Sequence, residues 1–186
     1  MIAMKPPTDR PDDNDGQWSE TLRAAVDYWR NKRGARAMPA REDIDPLELR
    51  HLLPNLYLLD VLGPSRYRYR LIGTMIAARL KSDATGKDVD GSLFGENAPA
   101  IIAMYDHVAN HKAPIVNNAR LFWTEVNWLN YTSVILPLST DGTNVNMILG
   151  AMDFWLSERP PLLPAVAGPP VNWRPLAVGP PPAGPA

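Results

Sequence analysis

The chain has 186 residues, 19 basic and 20 acidic side chains for a formal net charge of -1, and no cysteine. This length suits one domain around one core, the balanced charge argues against duplex nucleic acid as a partner, and the missing thiols exclude disulfides, thiolate nucleophiles, cysteine-ligated metals and thiol-linked flavin or haem. No apolar targeting segment opens the sequence and no stretch of about 18 uncharged apolar residues occurs, so a soluble, cytoplasmic protein without a membrane span is expected.

Residues 1–16 contain Pro6, Pro7, Pro11 and four aspartates without a periodic apolar face, which predicts a disordered lead-in. The domain is placed at 17–156, opening with N-terminal helices over 17–53. Trp18, Leu22, Ala25, Val26 and Trp29 recur on one helical face, and Gly34 follows a basic last turn, Lys32-Arg33. A stripe with two tryptophans needs cover. Packing on its own domain would supply it, as would a second copy or a partner protein, and Trp18, Leu22, Val26 and Trp29 are the candidate interface residues. Asp45 as cap, Pro46 in the first helical position and Glu48 in a capping box predict a second helix, ending before Pro54, with Ile44 stapled to Leu49.

The apolar run Leu56 to Leu62, the turn Gly63-Pro64-Ser65 and the stretch Tyr67 to Gly73 predict an antiparallel hairpin. In the second arm Tyr67, Tyr69 and Leu71 alternate with Arg68 and Arg70, which predicts one buried and one wet face. At Gly73 the period lengthens: Thr74 is a plausible cap for a helix carrying Ile76, Ala77 and Leu80, so the chain turns from sheet to a short covering helix. Lys81 to Asn97 reads as turns with at most one helical turn, and Ala98 to Lys112 as a helix presenting Ile101, Ile102, Tyr105, Val108 and Ala109 until Pro114 ends it. Three strands follow, Ile115 to Trp123, Trp128 to Leu138 and Val145 to Trp155, the last two joined by a turn at Asp141-Gly142. Residues 157–186 hold half of the protein's 20 prolines and almost no charge, predicting a polyproline or disordered tail with Leu162, Leu163 and Trp173 as its points of adhesion.

Periodicity alone therefore indicates an α+β domain with an antiparallel sheet. Beyond that, Trp29-Arg30, Met38-Pro39-Ala40-Arg41, Asp43-Ile44-Asp45-Pro46, Tyr69-Arg70-Leu71-Ile72-Gly73-Thr74, Thr85-Gly86 and Leu136-Pro137-Leu138-Ser139-x-Asp141-Gly142 resemble the single-domain PAS-type family of alphaproteobacteria. The likeness runs from about Trp18 to Trp155 and departs at Lys81-Ser82-Asp83, where a glycine turn is expected. The resemblance implies a five-stranded antiparallel sheet flanked by helices, serving signal sensing rather than catalysis.

For the site, the expectation is an interior lined by Tyr69, Leu71, Ile76, Leu80, Tyr105, Val108, Val134 and Leu136, holding a small apolar ligand of unspecified identity; on that reading Leu71→Arg should unfold or empty the domain. No catalytic and no metal residues are assigned. His107 and His111, one turn apart, fall on the helix side away from Ile101, Tyr105 and Val108 and should face water, and His51 stands alone. Arg66, Arg68, Arg70 and Arg79 read as a solvated stripe pairing with strand carboxylates such as Asp60. Two other readings stay open: a small cone-fold lyase or isomerase using Asp60, Asp153 or Tyr131, and an interaction module with a filled core.

Overall fold

The computed structural model describes residues 18–120, 129–156 and 172–179. The lead-in, the end of the strand expected to reach Trp123, and Leu162 and Leu163 lie outside them. One antiparallel sheet runs in the order β2-β1-β5-β4-β3-β6, from β1 (Leu56–Gly63), β2 (Arg66–Ile72), β3 (Ile115–Arg120), β4 (Leu129–Leu138), β5 (Met147–Leu156) and β6 (Asn172–Pro175). The five expected strands are present; the sixth comes from the tail, where a polyproline or disordered chain was expected.

Helix α1 (Glu20–Arg33) starts at Ser19, whose Oγ accepts from the Leu22 amide at 3.3 Å, and ends at Gly34 with φ of 55°. It packs on β4 and β5. Leu22, Val26 and Trp29 are fully buried there, Trp18 packs partly buried against the same core, and the Trp29 indole N–H donates to the Pro137 carbonyl at 2.8 Å. For Leu22, Val26 and Trp29 the interface expected on this stripe is corrected, because their burial on the sheet leaves them no surface for a second chain, while Trp18 keeps part of its surface exposed.

The second expected helix does not form. Residues 46–52 make turns, followed by a 3-10 turn at Leu53–Asn55. Asp45 does hold the Leu47 amide at 2.8 Å, but Glu48 reaches away to Lys32 on α1 at 2.7 Å instead of back to its own turn. Helix α2 (Thr74–Leu80) is capped at Gly73, with Thr74 as its first helical residue and no side-chain cap. Lys81 takes the left-handed conformation, φ 52°, so a lysine stands where the resemblance called for a glycine turn. Helices α3 (Gly91–Phe94) and α4 (Ala98–His111) complete the cover. Among the described residues no helix is long and apolar enough to cross a membrane.

Registers assign the two faces of the sheet. Tyr57 opposes Gly150, which opposes Ile135; Ser133 opposes Met152 and Asn117. Directly paired residues share a face, so Tyr57, Asn117, Tyr131, Ser133, Ile135, Gly150 and Met152 form the face that α4 covers. Val134 and Leu136 point the other way, toward the α1 side. In β2 a bulge at Arg70 shifts the register, because Tyr69 pairs with Leu59 and Leu71 with the adjacent Leu58. Parity reverses there, and Leu71 is 41 % exposed while Tyr67 and Tyr69 remain buried.

Two glycines are required by close approach rather than by φ. A Cβ on Gly73 would overlap the carbonyl oxygens of Leu53 and Pro54, and one on Gly150 would enter the ring of Tyr57. Gly73→Ala and Gly150→Ala are each expected to cost about 2–3 kcal/mol in urea unfolding with unchanged slope, whereas Gly91→Ala, whose Cβ meets nothing within 4 Å, should stay within about 0.5 kcal/mol.

Candidate functional site

Between the sheet and α4 lies a cavity of about 40 Å³, walled by Tyr57, Tyr69, Leu80, Phe94, Ile101, Met104, Tyr105, Asn117, Tyr131, Ser133 and Met152. That volume admits one or two water-sized groups. A larger pocket of about 390 Å³ adjoins it, lined by Ser82, Ala84, Lys87, Ser92 and Leu93, and shares Tyr69, Leu80 and Phe94 with it as a common wall. The bare Gly150 leaves room for the Tyr57 ring, and the turn at Gly73 brings α2 and its Leu80 over the sheet.

The lining is aromatic but not purely apolar. Tyr69 and Tyr105 meet hydroxyl to hydroxyl at 3.3 Å, Asn117 Nδ2 donates to the Tyr131 hydroxyl at 3.3 Å, and Tyr57 and Ser133 complete the polar part of the wall. Rings stack in the same cluster, with Tyr57 edge-on to Tyr69 at 6.0 Å and Tyr67 tilted to Tyr105 at 5.3 Å. Asn117, 1 % exposed, leaves its Oδ1 without any partner. A buried amide oxygen unpaired in this way costs roughly 1–3 kcal/mol, which a bound donor would recover.

Burial holds every phenol in the protonated form. It pushes Tyr69 up to about 12 and Tyr131 up to about 12, and it raises Tyr57 and Tyr105 further. Each hydroxyl therefore both donates and accepts at neutral pH. No carboxylate, imidazole or ammonium is among the residues that wall the cavity. The chemistry of such a surface is that of uncharged hydrogen-bonding groups and aromatic rings.

Of the eight residues expected to line the interior, Tyr69, Leu80 and Tyr105 are brought together on the cavity. Ile76 and Val108 are fully buried in the core but do not reach it, Val134 and Leu136 lie on the opposite face, and Leu71 is exposed by the bulge. Tyr57, Phe94, Ile101, Met104, Asn117, Tyr131, Ser133 and Met152 line it without having been expected to. A signal existed for Asn117, a polar side chain in mid-strand at a position that alternation buries. The carboxylates raised for an enzyme lie elsewhere: Asp60 pairs with Arg70 at 2.8 Å, and Asp153, opposite Thr132, is on the face away from the cavity. Arg68 likewise pairs with Asp88. Tyr131 does reach the cavity.

His111 is exposed as expected, but His107 requires a further correction. His107 and His111 stack at 4.0 Å, and His107 also packs at 4.2 Å on Trp173 of β6, so it is half-buried rather than facing water. Burial, with His111 second, lowers its pKa. Among the described residues no group of three or more His, Cys, Asp or Glu could hold a metal ion.

Comparison with protein families matches the PAS domain to residues 18–153. Comparisons with curated proteins and with solved structures returned no match.

Two outcomes follow from the parity and the phenols. Leu71→Arg is expected to alter stability by no more than about 0.5 kcal/mol, measured by urea melting, because its side chain is on the wet side of the bulge. Above pH 10 the unfolded chain releases phenolic protons that the folded chain keeps to about pH 12, so the folded state binds more protons and stability falls as pH rises. Stability should be level from pH 7 to 9 and then decline by up to about 1.4 kcal/mol per pH unit for each buried phenol. Phenolate absorbance should climb together with loss of far-UV ellipticity.

Proposed function

This chain belongs to the PAS domain family, and we propose from that membership and from its cavity that it is a non-catalytic cytoplasmic regulator which senses a small uncharged molecule. The observation that carries the reading is the unpaired Asn117 Oδ1 set in a wall of four tyrosines. A neutral ligand with one N–H or O–H group would donate to that oxygen and exchange further hydrogen bonds with the phenols, while its apolar part displaced Leu80 and Phe94 into the neighbouring pocket. This sharpens the expected apolar ligand: the body is apolar, but one donor is required.

Signalling would proceed by population shift. Tyr105 is on α4 and Tyr57 and Tyr69 are on the sheet, so a molecule binding between them better in one helix position than another biases that position. The output would be a contact with a partner protein. An uncharged cavity wall and externally paired Asp60 favour this reading over a lyase or isomerase.

Native mass spectrometry of the full chain purified from its own host tests the proposal. The expected result is a retained neutral molecule on the wild type that is lost from Asn117→Leu. That variant should remain folded, since removing the orphan acceptor offsets the lost 3.3 Å bond to within about 1 kcal/mol. Retention of the same ligand by Asn117→Leu, or an empty wild-type cavity whose melting responds to no neutral donor compound, would remove the basis of the reading.

A further inference from the structure

Strand β6 lies outside the residues that match the family, and it occupies the edge that β3 would otherwise present to solvent. Its docking combines a main-chain ladder with side-chain anchors. Asn117 and Val116 pair with Trp173 and Arg174, and the ladder continues through the Leu176 amide, which donates to Pro114 at 2.9 Å. Trp173 packs on His107 of α4, and Leu176 is buried in the core at 5 % exposure. From the other side of the sheet, Arg30 and Arg33 of α1 grip the carbonyls of Ala177 and Gly179 at 2.9 and 3.4 Å. Ladder plus alternate pockets is how a sheet takes up an extended peptide.

Two features separate this segment from the core. Pro175, Ala177 and Gly179 are exposed, and from Trp173 to Gly179 Leu176 is the one buried side chain; few buried side chains are typical of an element that opens below the global stability. The groove also offers more than the segment uses. Arg30 Nε and Arg33 Nε are buried without partners, and Arg33 as a whole is 6 % exposed. Arg30 already pairs with the Asp27 carboxylate at 3.2 Å, whereas Arg33 has only the long bond to the Gly179 carbonyl; a carboxylate would engage the Arg33 guanidinium in bidentate fashion.

We propose that the β3 edge, with the C-terminal turns of α1 and α4, is a docking groove for an extended partner segment of the pattern Trp-x-Pro-Leu followed within about three residues by a carboxylate, and that residues 172–179 hold it in the partner's absence. The resident segment competes at the high effective concentration of a tether, so it excludes weak ligands and yields to one whose carboxylate engages Arg33.

The test uses the full chain and a labelled peptide of residues 171–179, with a second peptide carrying Gly179→Asp. Trp173→Ala combined with Leu176→Arg vacates the groove. By fluorescence anisotropy the vacated chain should bind the native peptide at least tenfold more tightly than the wild type does, and the acidic peptide about tenfold more tightly again. In the wild type, hydrogen exchange at the Leu176 amide should be at least a hundredfold faster than at β4 and β5 amides. The proposal is overturned if the vacated chain unfolds, if it binds no better than wild type, if the acidic peptide gains nothing, or if Leu176 exchanges in step with β4 and β5.

Discussion

The organisation of the interior rests on one steric relation, the ring of Tyr57 seated across the sheet on a residue without a side chain. Tyr57 opposes Gly150 between β1 and β5, and any Cβ there would occupy the ring. Given the missing atom, the phenol lies within the layer between sheet and α4 and lines the cavity together with Tyr105 and Ser133. From that placement follow the edge-on contact with Tyr69, the neutral state of the whole cluster and a void too small for a side chain yet walled by hydroxyls. Close packing makes such a relation stiff: neither partner can change volume without moving a strand.

Much of the element order was legible because it rests on local chemistry. The 3.6-residue stripe from Trp18 to Trp29, the alternation of Tyr67 and Tyr69, the turn at Asp141-Gly142 and the change of period at Gly73 each depend on neighbours in sequence. The Asp45-Pro46 segment shows the limit of that reasoning. Its capping residues are right for a helix, yet Glu48 finds a better partner in Lys32, a contact visible only after α1 has docked.

The cavity was harder to read, for reasons specific to β2, β4 and β5. A strand buried on both faces carries no alternation, and β4 from Thr132 to Leu138 is buried throughout. Hydrophobicity therefore drew attention to Val134 and Leu136, whereas the cavity is lined by Tyr131 and Ser133. A one-residue bulge at Arg70 was equally silent, since nothing in Tyr-Arg-Tyr-Arg-Leu marks where the pairing slips. Asn117 had the clearest signal, a polar group where only a partner could justify it.

Pro137 joins the two sides of the molecule. Its ring belongs to the cavity-side row of β4, while its carbonyl accepts the indole of Trp29 from α1. The sheet is thus a partition one peptide thick, with the helix behind it bolted to the same strand that forms the chamber's floor. A displacement of β4 by a fraction of an ångström would be transmitted through that bolt to α1 without any loop having to move.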